Sequence, residues 1–295
     1  MPSPQFDAVT QFLKANPTPT GIPPVQQRKT AEAMALQSPL PDGVYTETIK
    51  NEAVAGLLMA APDVDDGEIV LYFHGGGYAL GSSITHRDFG WRLSAAAGAR
   101  VFMLDYRRAP EHPYPAAIDD AVAAYKWLLA NGFSPSSISV GGDSAGGGLA
   151  VAMLLRLRDE GVVLPKTAVL LSPWLDLTHS SGSFSRNEAT DLILSAARLQ
   201  EFADWYLGDG ASADDPLVSP IFADLHGLPP MLIQVGDVEM LLDDSITFAE
   251  KAKAAGVDVT LDVWEEMFHV WHALAAIIPE AQDAIAEVGT FIRAA

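Results

Sequence analysis

The sequence predicts a domain of the α/β class, with a mostly parallel β-sheet flanked by helices. Short β-branched and apolar segments alternate along the chain with helical segments of roughly 10–15 residues, which is the pattern of βαβ crossovers. The chain has 295 residues and 49% hydrophobic content, enough to bury one large core. In such sheets the reactive groups lie on loops at the carboxyl ends of the strands.

Eight segments have the length and composition of strands, and six have the apolar periodicity of helices. The strands are predicted at 44–49, 53–59, 68–73, 100–105, 138–141, 167–171, 231–235 and 257–264. The helices are predicted at 6–15, 117–130, the residues that follow Ser144, 195–206, 245–255 and 279–293. Residues 1–42 contain no strand signal and are predicted to be an N-terminal appendage. The domain at 43–295 is interrupted by a polar, irregular stretch at about 180–216.

The composition is strongly acidic, with 18 Lys and Arg residues against 38 Asp and Glu residues and a formal net charge of -20. Such a surface repels phosphate backbones and anionic lipids, so we expect no nucleic-acid or membrane partner. The cysteine count is 0, which excludes a disulfide, a thiol nucleophile and a thiolate metal site, and no metal site is predicted. The N-terminus lacks the basic and apolar regions of a secretory signal, which favours a cytoplasmic protein.

A glycine-flanked serine stands where a strand is predicted to turn into a helix. The segment Gly142-Asp143-Ser144-Ala145-Gly146 follows the β-branched run 138–140 and precedes a helix with one apolar face. This is the context of a G-x-S-x-G nucleophile elbow, in which a strained turn exposes the serine hydroxyl. We therefore predict Ser144 as the nucleophile, rather than a serine placed by chance in a glycine-rich turn.

Consecutive glycines follow the third predicted strand, in the run His74-Gly75-Gly76-Gly77-Tyr78. Glycine lets a backbone approach a ligand closely and turn its N–H groups inward. With the N–H of Ala145, these groups could hold the negative oxygen of a tetrahedral intermediate. We favour Gly76 together with either Gly75 or Gly77. A phosphate-binding loop is the alternative, but the Lys-Ser/Thr of a P-loop is missing.

Four motifs in the same order resemble the bacterial hormone-sensitive-lipase-like family, the family IV esterases. The run 74–78 looks like the family's HGGG[YFW] loop, 142–147 matches GDSAGG, and 172–177 resembles SPWxDL. The run 105–117 is similar to DYRLAPEHPYPAA, with Arg108 in place of the usual Leu. The resemblance covers about residue 45 to the end, together with an N-terminal stretch of the length that the family uses as a cap.

The resemblance implies an α/β-hydrolase fold with a mostly parallel eight-stranded sheet and a helical cap, assembled from residues 1–42 and the insert near 180–216. It implies hydrolysis of small-molecule carboxylic esters with short to medium acyl chains, without a cofactor. It also suggests a homodimer that pairs through the edge strand at 257–264 and the last helix.

In this fold the triad residues follow in the order serine, acid, histidine, and the histidine comes after the last core strand. The loop after that strand contains His269 and His272, and His269 stands at the position of the family's catalytic histidine. We predict His269 as the base. His272 is interpreted as a helix-start or pocket residue, and His74 as a brace for the glycine loop.

The acid is expected after the strand at 231–235, where the run 236–244 contains four carboxylates. The resemblance implies Glu239, because 242–245 aligns with the end of the family's D-P-x-L-D-D-S motif. The family commonly has Asp there, and Glu is one methylene longer, so the loop must lie slightly further back. Asp237, two residues earlier and nearer to the strand, is the alternative.

Other residues are assigned supporting roles. Asp143, beside the nucleophile, is expected to brace the surrounding loops and to border the substrate. Arg107 and Glu111 are expected to form a network with Asp119 or Asp120. An acyl pocket under the cap is predicted to include four further side chains: Tyr78, Phe202, Tyr206 and Leu207.

A carboxylesterase is the function that these residues predict. A ligand receptor built on a disabled hydrolase is a competing hypothesis, but the nucleophile and base that such receptors lose are both represented, by Ser144 and His269. An amidase or an interfacial lipase would use the same triad. Nothing in the sequence indicates an extended peptide groove, and the acidic surface and the missing signal peptide disfavour a lipase.

Overall fold

An eight-stranded sheet forms the centre of the molecule in a computed structural model, which describes residues 2–16 and 21–295. In chain order the strands are β1 Tyr45–Lys50, β2 Ala55–Ala60, β3 Ile69–Phe73, β4 Arg100–Leu104, β5 Ile138–Asp143, β6 Thr167–Leu171, β7 Met231–Gly236 and β8 Val259–Trp264. The spatial order is β1-β2-β4-β3-β5-β6-β7-β8. Strands β1, β2 and β4 pair antiparallel, and all pairs from β4 through β8 are parallel. The predicted mostly parallel sheet of eight strands is therefore confirmed.

Within the described residues, the helices are α1 Pro4–Ala15, α2 Pro24–Ala35, α3 Arg87–Ala97, α4 Ala116–Ala130, α5 Ala145–Asp159, α6 Gly182–Arg186, α7 Ala196–Leu207, α8 Leu242–Ala254 and α9 Pro279–Ala294. Short 3₁₀ turns lie at Pro135–Ser137, Pro220–Phe222 and Trp271–Leu274. Helices α2, α3 and α6 were not predicted from the sequence. None of the helices found in 2–16 and 21–295 has both the length and the apolar content for crossing a bilayer.

Two hydrophobic cores cover the two faces of the sheet. Along β3, Leu71 and Phe73 belong to one core and Val70 and Tyr72 to the other, because successive side chains of a strand point to opposite faces. Helices α4, α5 and α8 supply residues to the first core, and α3 and α9 supply residues to the second. Burial on both faces explains why the central strands are continuously apolar.

The carboxyl ends of the parallel strands meet at one edge of the sheet and carry the predicted site. The glycine loop follows β3, Ser144 follows β5, and Glu239 and His269 follow β7 and β8. Strand β8 also forms one border of the sheet. The homodimer contact through that border stays a prediction.

Candidate active site

Ser144 occupies a strained turn between β5 and α5. Its backbone has φ 54° and ψ -123°, a conformation that L-residues rarely adopt. The flanking glycines are required by packing, since a Cβ on Gly142 would lie 2.2 Å from the carbonyl oxygen of Gly146. A Cβ on Gly146 would lie 2.0 Å from the carbonyl oxygen of Phe73. The turn therefore has the geometry that the sequence predicted for a nucleophile elbow.

Three side chains form a continuous hydrogen-bonded row that begins at Ser144. The Nε2 atom of His269 lies 2.9 Å from the Ser144 hydroxyl oxygen, and its Nδ1 lies 2.7 Å from Oε2 of Glu239. All three residues are buried, and Glu239 has no exposed surface. Loops that are far apart in sequence thus bring a hydroxyl, an imidazole and a carboxyl group together.

The Glu239 carboxyl group is held at both oxygens. Its Oε1 accepts hydrogen bonds from the Gly236 amide at 2.6 Å and from the Ser172 hydroxyl at 2.7 Å, which leaves Oε2 for His269. Burial raises the pKa of Glu239, while the hydrogen bonds from His269, Gly236 and Ser172 oppose that rise by favouring the carboxylate. Ser172 was not assigned to the site from the sequence, although it begins the 172–177 motif.

Asp237, the alternative acid, makes a different contact. Its Oδ1 accepts a hydrogen bond of 2.7 Å from the backbone amide of Glu266, and its side chain is half-buried. The carboxylate therefore ties the loop after β7 to the loop after β8, whereas Glu239 is the acid in contact with His269.

Two opposing effects act on the pKa of the His269 imidazole. Burial lowers its pKa, but the hydrogen bond and the negative charge of Glu239 raise it, and the net pKa lies above the ordinary value. The carboxylate thus stabilises the protonated imidazole, which is the form that a general base reaches after taking a proton.

Two amides of the glycine loop, which borders the same cavity as Ser144, are free to bind a ligand. In the part of the chain that the structure describes, the N–H groups of Gly76 and Gly77 and that of Ala145 have no protein acceptor. The Gly75 N–H instead donates to Oδ1 of Asp143 at 3.1 Å. Gly75, one of the predicted oxyanion donors, thus has an amide that is already bonded to Asp143, and the free amide beside that of Gly76 is that of Gly77.

Two further histidines at this edge of the sheet, His74 and His272, have structural contacts. Burial lowers the pKa of His74 and that of His272 to about 3, so both are neutral at physiological pH. His74 stacks on Tyr106 and its Nδ1 lies 2.9 Å from the Gly75 carbonyl oxygen, so it braces the glycine loop as predicted. His272 is the second residue of the 3₁₀ turn Trp271–Leu274, and its Nε2 lies 3.0 Å from Oε1 of Gln234.

A cavity of about 460 Å³ opens above Ser144 and His269. Phe202 and Asp143 line it as predicted, together with Trp174, Leu199 and Phe268. Helices α1 and α2 of the N-terminal segment also contribute to the wall, through Leu13 and through Gln27 and Ala31. The 180–216 insert contributes Leu194 and Arg198. The apolar wall suits a hydrophobic ligand that has one polar reacting group.

Three of the predicted pocket residues lie elsewhere. Tyr78 and Tyr206 are buried behind the wall, where their rings stack with centroids 3.7 Å apart, and Leu207 packs against the main core. None of the three lines the cavity. The spacing of the aromatic residues, which predicted a pocket, therefore reflects packing in the core for Tyr78 and Tyr206. Of the four predicted side chains, Phe202 is the one that lines the cavity.

The predicted ion-pair network is half correct. Arg107 pairs with Asp120 at 2.7 Å, as expected. Glu111 pairs instead with Arg28 of α2 at 2.8 Å, and Arg28 also donates to the carbonyl oxygens of Ala79 and Ala109. The N-terminal segment is thus bonded to the residue that follows the glycine loop. Within 2–16 and 21–295, no group of three or more acidic or histidine side chains has an arrangement that could hold a metal ion.

Comparison with known proteins agrees with this architecture. Residues 70–273 match a family described as having an alpha/beta hydrolase fold. An acetyl-hydrolase of Streptomyces hygroscopicus is 43% identical over 295 residues, which cover 100% of this chain and 98% of that protein. An esterase of Acinetobacter venetianus is 41% identical over 249 residues, which cover 84% of this chain and 78% of that protein. A crystal structure of an esterase from the bacterial hormone-sensitive lipase family superposes with a TM-score of 0.95 at 45% identity, covering 99% of this chain and 98% of that one.

The matched region contains the glycine loop, the nucleophile elbow and the loops of Glu239 and His269. Similarity therefore extends over the residues that form the hydrogen-bonded row, and not over the sheet alone. The chain belongs to the hormone-sensitive-lipase-like family of α/β-hydrolases, and it is a carboxylesterase.

Proposed function

We propose that this carboxylesterase hydrolyses esters of short- to medium-chain acids through a Ser144-His269-Glu239 triad and an acyl-enzyme intermediate. The observation that carries the proposal is the row of contacts of 2.9 Å and 2.7 Å from hydroxyl to imidazole to carboxylate. A nucleophile within hydrogen-bond reach of a base, which is itself oriented by a third group, is the arrangement that activates serine.

In the first half-reaction, the Ser144 oxygen attacks the ester carbonyl carbon while Nε2 of His269 takes the hydroxyl proton. The tetrahedral oxyanion is held by the N–H groups of Gly76, Gly77 and Ala145, which are free to donate to it. The imidazolium then gives its proton to the leaving alcohol oxygen as the carbon–oxygen bond breaks. The acyl group is left on Ser144.

In the second half-reaction, water takes the place of the alcohol. His269 removes a proton from the water, whose oxygen attacks the acyl carbon, and the same amides hold the second oxyanion. Collapse of this intermediate returns the proton to the Ser144 oxygen and releases the carboxylic acid. Glu239 keeps the proton of the neutral imidazole on Nδ1, so that Nε2 remains able to accept.

The size of the acyl group is set by a cap made of residues 1–42 and the insert at 180–216. Support comes from Leu13 and Ala31 of the N-terminal segment and from Leu194 of the insert, all of which line the cavity. Gln27 and Arg198 join the two parts through a hydrogen bond of 2.7 Å. Residues 1 and 17–20 of this segment lie outside the described residues. The name of the Streptomyces relative, acetyl-hydrolase, agrees with a preference for small acyl groups.

A series of p-nitrophenyl esters from acetyl to palmitoyl is expected to give the highest kcat/KM at a short or medium acyl chain. A cavity of about 460 Å³ is within the usual range for one small ligand, roughly 300–1,000 Å³, and its lining is largely apolar, which suits an acyl chain of limited length. Initial rates measured below the critical micelle concentration would test this. Rates that peak at palmitoyl and rise sharply on micelle formation would favour an interfacial lipase instead.

The activity is expected to fall as the pH is lowered, because catalysis requires the neutral imidazole of His269. Glu239 raises the pKa of His269, so the acid limb of kcat/KM should lie above the ordinary histidine value of about 6.5. The group is active above its folded-state pKa and inactive below it. A pH-stat titration with a neutral aliphatic ester would give the profile. Full activity down to about pH 5.5 would contradict the assignment of His269 as the base.

A further inference from the structure

A second acid–imidazole pair lies on the other side of Ser144 and has no part in the triad. Asp143, the residue before the nucleophile, is buried with its Oδ2 3.4 Å from Nε2 of His86. His86 precedes α3 and lines the same cavity. No motif in the sequence singled out His86, because its partner is 57 residues away along the chain.

The Asp143 carboxylate connects the nucleophile elbow to the glycine loop. Its Oδ1 accepts hydrogen bonds from the Gly75 amide at 3.1 Å and from the Tyr72 hydroxyl at 3.0 Å. The next two amides along the chain are those of Gly76 and Gly77. A rotation of the carboxylate would therefore release the loop on which both oxyanion donors lie.

His86 is surrounded by acceptors at both ring nitrogens. The Thr85 hydroxyl donates to the Ser82 carbonyl oxygen at 2.9 Å, so its oxygen faces Nδ1 of His86, also at 2.9 Å, as an acceptor. The Ser82 carbonyl oxygen lies 3.3 Å from the same nitrogen. Only the imidazolium can donate from Nδ1 and from Nε2 together, so this arrangement is fully bonded when His86 is charged. His86 and Asp143 then form a buried ion pair.

Charge compensation matters at this position as much as orientation. A lone buried carboxylate beside the reacting carbon would repel the oxyanion that develops there, since electrostatic interactions are strong in a dry site. A paired imidazolium removes most of that repulsion and holds Oδ2, which leaves Oδ1 directed at Gly75.

We propose that His86 is a positioning residue for ester hydrolysis, which holds and neutralises the Asp143 carboxylate and so fixes the loop that carries the Gly76 and Gly77 amides. The inference rests on the proposed oxyanion role of those amides. It gives His86 an effect on the transition state without contact with the reacting atoms.

Two substitutions of His86 that differ in side-chain length test this role. His86→Gln can place its amide near the position of Nε2 and keep one hydrogen bond to Asp143, whereas the amide of His86→Asn is too short. We expect His86→Asn to lower kcat for p-nitrophenyl butyrate by about 10- to 100-fold with KM within about twofold, since misplaced oxyanion donors act on the transition state. His86→Gln should recover about fivefold of that loss but remain below the wild-type kcat, because its neutral amide restores the hydrogen bond to Asp143 and not the positive charge.

Inactivation by a p-nitrophenyl organophosphonate provides a second measurement, because its phosphoryl oxygen occupies the oxyanion position. The rate of inactivation should fall in proportion to kcat in His86→Asn and recover in His86→Gln. His226→Gln is the matched control, since His226 is exposed on the surface and should leave kcat, KM and Tm unchanged. In an Asp143→Asn background, His86→Asn should lower kcat much less than it does in the wild type, because the charge to be neutralised is gone.

Equal kcat values for His86→Gln and His86→Asn would overturn the proposal. So would a raised KM with kcat unchanged, which would make His86 a wall residue that only contacts substrate. If His86→Asn does not fold, the comparison of His86→Gln with wild type decides: a several-fold lower kcat at unchanged KM supports the proposal, and a wild-type kcat contradicts it. Activity retained by Ser144→Ala would refute the triad itself, whereas an inactive Ser144→Ala with normal His86 variants would refute only this inference.

Discussion

Ser144→Ala is expected to lower kcat by about 10⁵- to 10⁶-fold, the largest effect of any single substitution in this chain. In the proposed mechanism the hydroxyl oxygen forms the bond to the acyl carbon, and among residues 2–16 and 21–295 Ser144 is the serine that hydrogen-bonds to Nε2 of His269. The oxyanion amides and the cavity remain intact, so KM should change little and residual hydrolysis should stay above that in water. Single-turnover and steady-state rates with p-nitrophenyl butyrate would measure the loss.

The control for this variant lies just before the other end of β5. Ser136→Ala removes an exposed hydroxyl next to the amino end of β5, opposite to Ser144, and should leave kcat unchanged. Ser144→Ala should keep the wild-type Tm, because alanine retains the Cβ in the strained turn. Mass spectrometry should find an organophosphonate adduct on the wild type and none on Ser144→Ala. A variant that still forms an acyl-enzyme would place the nucleophile elsewhere.

Local sequence signals predicted most of the sheet and the elbow of Ser144. Each strand is a short apolar run bounded by turn residues, and the elbow has glycines on either side of Ser144 because a Cβ at Gly142 would meet the turn itself and a Cβ at Gly146 would meet β3. Glu239 required the resemblance, because four carboxylates follow β7 and composition alone does not distinguish them. The distinction depends on which oxygen reaches His269, a contact between loops that are 30 residues apart.

The missed elements depend on tertiary contacts. Helix α2 buries no residue, so it has no apolar stripe to detect, and it is held in place by the bonds of Arg28. Helix α3 contains Gly90, where a Cβ would lie 2.4 Å from the Met59 sulfur, so close packing on β2 selects a residue with low helix propensity. Helix α2 therefore could not be recognised from periodicity, whereas α3 buries Phe89, Leu93 and Ala97 at helical spacing, a stripe that could have predicted it.

The predictions that failed for individual site residues failed for one reason. A sequence pattern gives the position of a residue along an element, but not the direction in which its amide or side chain points. Gly75 is a glycine because a Cβ there would lie 2.2 Å from Oδ2 of Asp143, and the same closeness occupies its amide. Tyr78 and Tyr206 are spaced like a pocket lining, yet they stack on each other within the core. Which partner an amide or a ring faces is decided by neighbours from other parts of the chain.

Two acid–imidazole pairs flank Ser144, and their hydrogen bonds suit them to different tasks. Glu239 contacts Nδ1 of His269 and leaves Nε2 free to exchange a proton with the serine. Asp143 contacts Nε2 of His86, whose Nδ1 is also bonded, so no nitrogen of His86 is available to the substrate. In the proposed mechanism the first pair therefore moves protons during the reaction, and in the role proposed for His86 the second pair holds a fixed charge.

Glu239→Gln is expected to lower kcat by about 10³- to 10⁴-fold, with KM near the wild-type value. The Gly236 amide and the Ser172 hydroxyl both donate to one side-chain oxygen, so the glutamine carbonyl must face them and its NH₂ must face His269. An NH₂ donor requires Nδ1 to accept, which moves the imidazole proton to Nε2. That tautomer cannot take the proton of Ser144, and the imidazolium loses its counter-charge.

The matched substitution Asp237→Asn separates the two candidate acids. Asp237 accepts only a backbone hydrogen bond from Glu266, and an asparagine oxygen can accept it equally well, so kcat should remain close to the wild-type value. The acid limb of kcat/KM supplies an independent measure, because loss of the Glu239 charge should lower the pKa of His269 and move the limb to lower pH. If Asp237→Asn proved the more damaging change, or if Glu239→Gln left the limb in place, the acid would not be Glu239. Both variants differ from the wild type by one atom of the side chain, so differences in packing cannot account for a thousandfold gap in kcat between them.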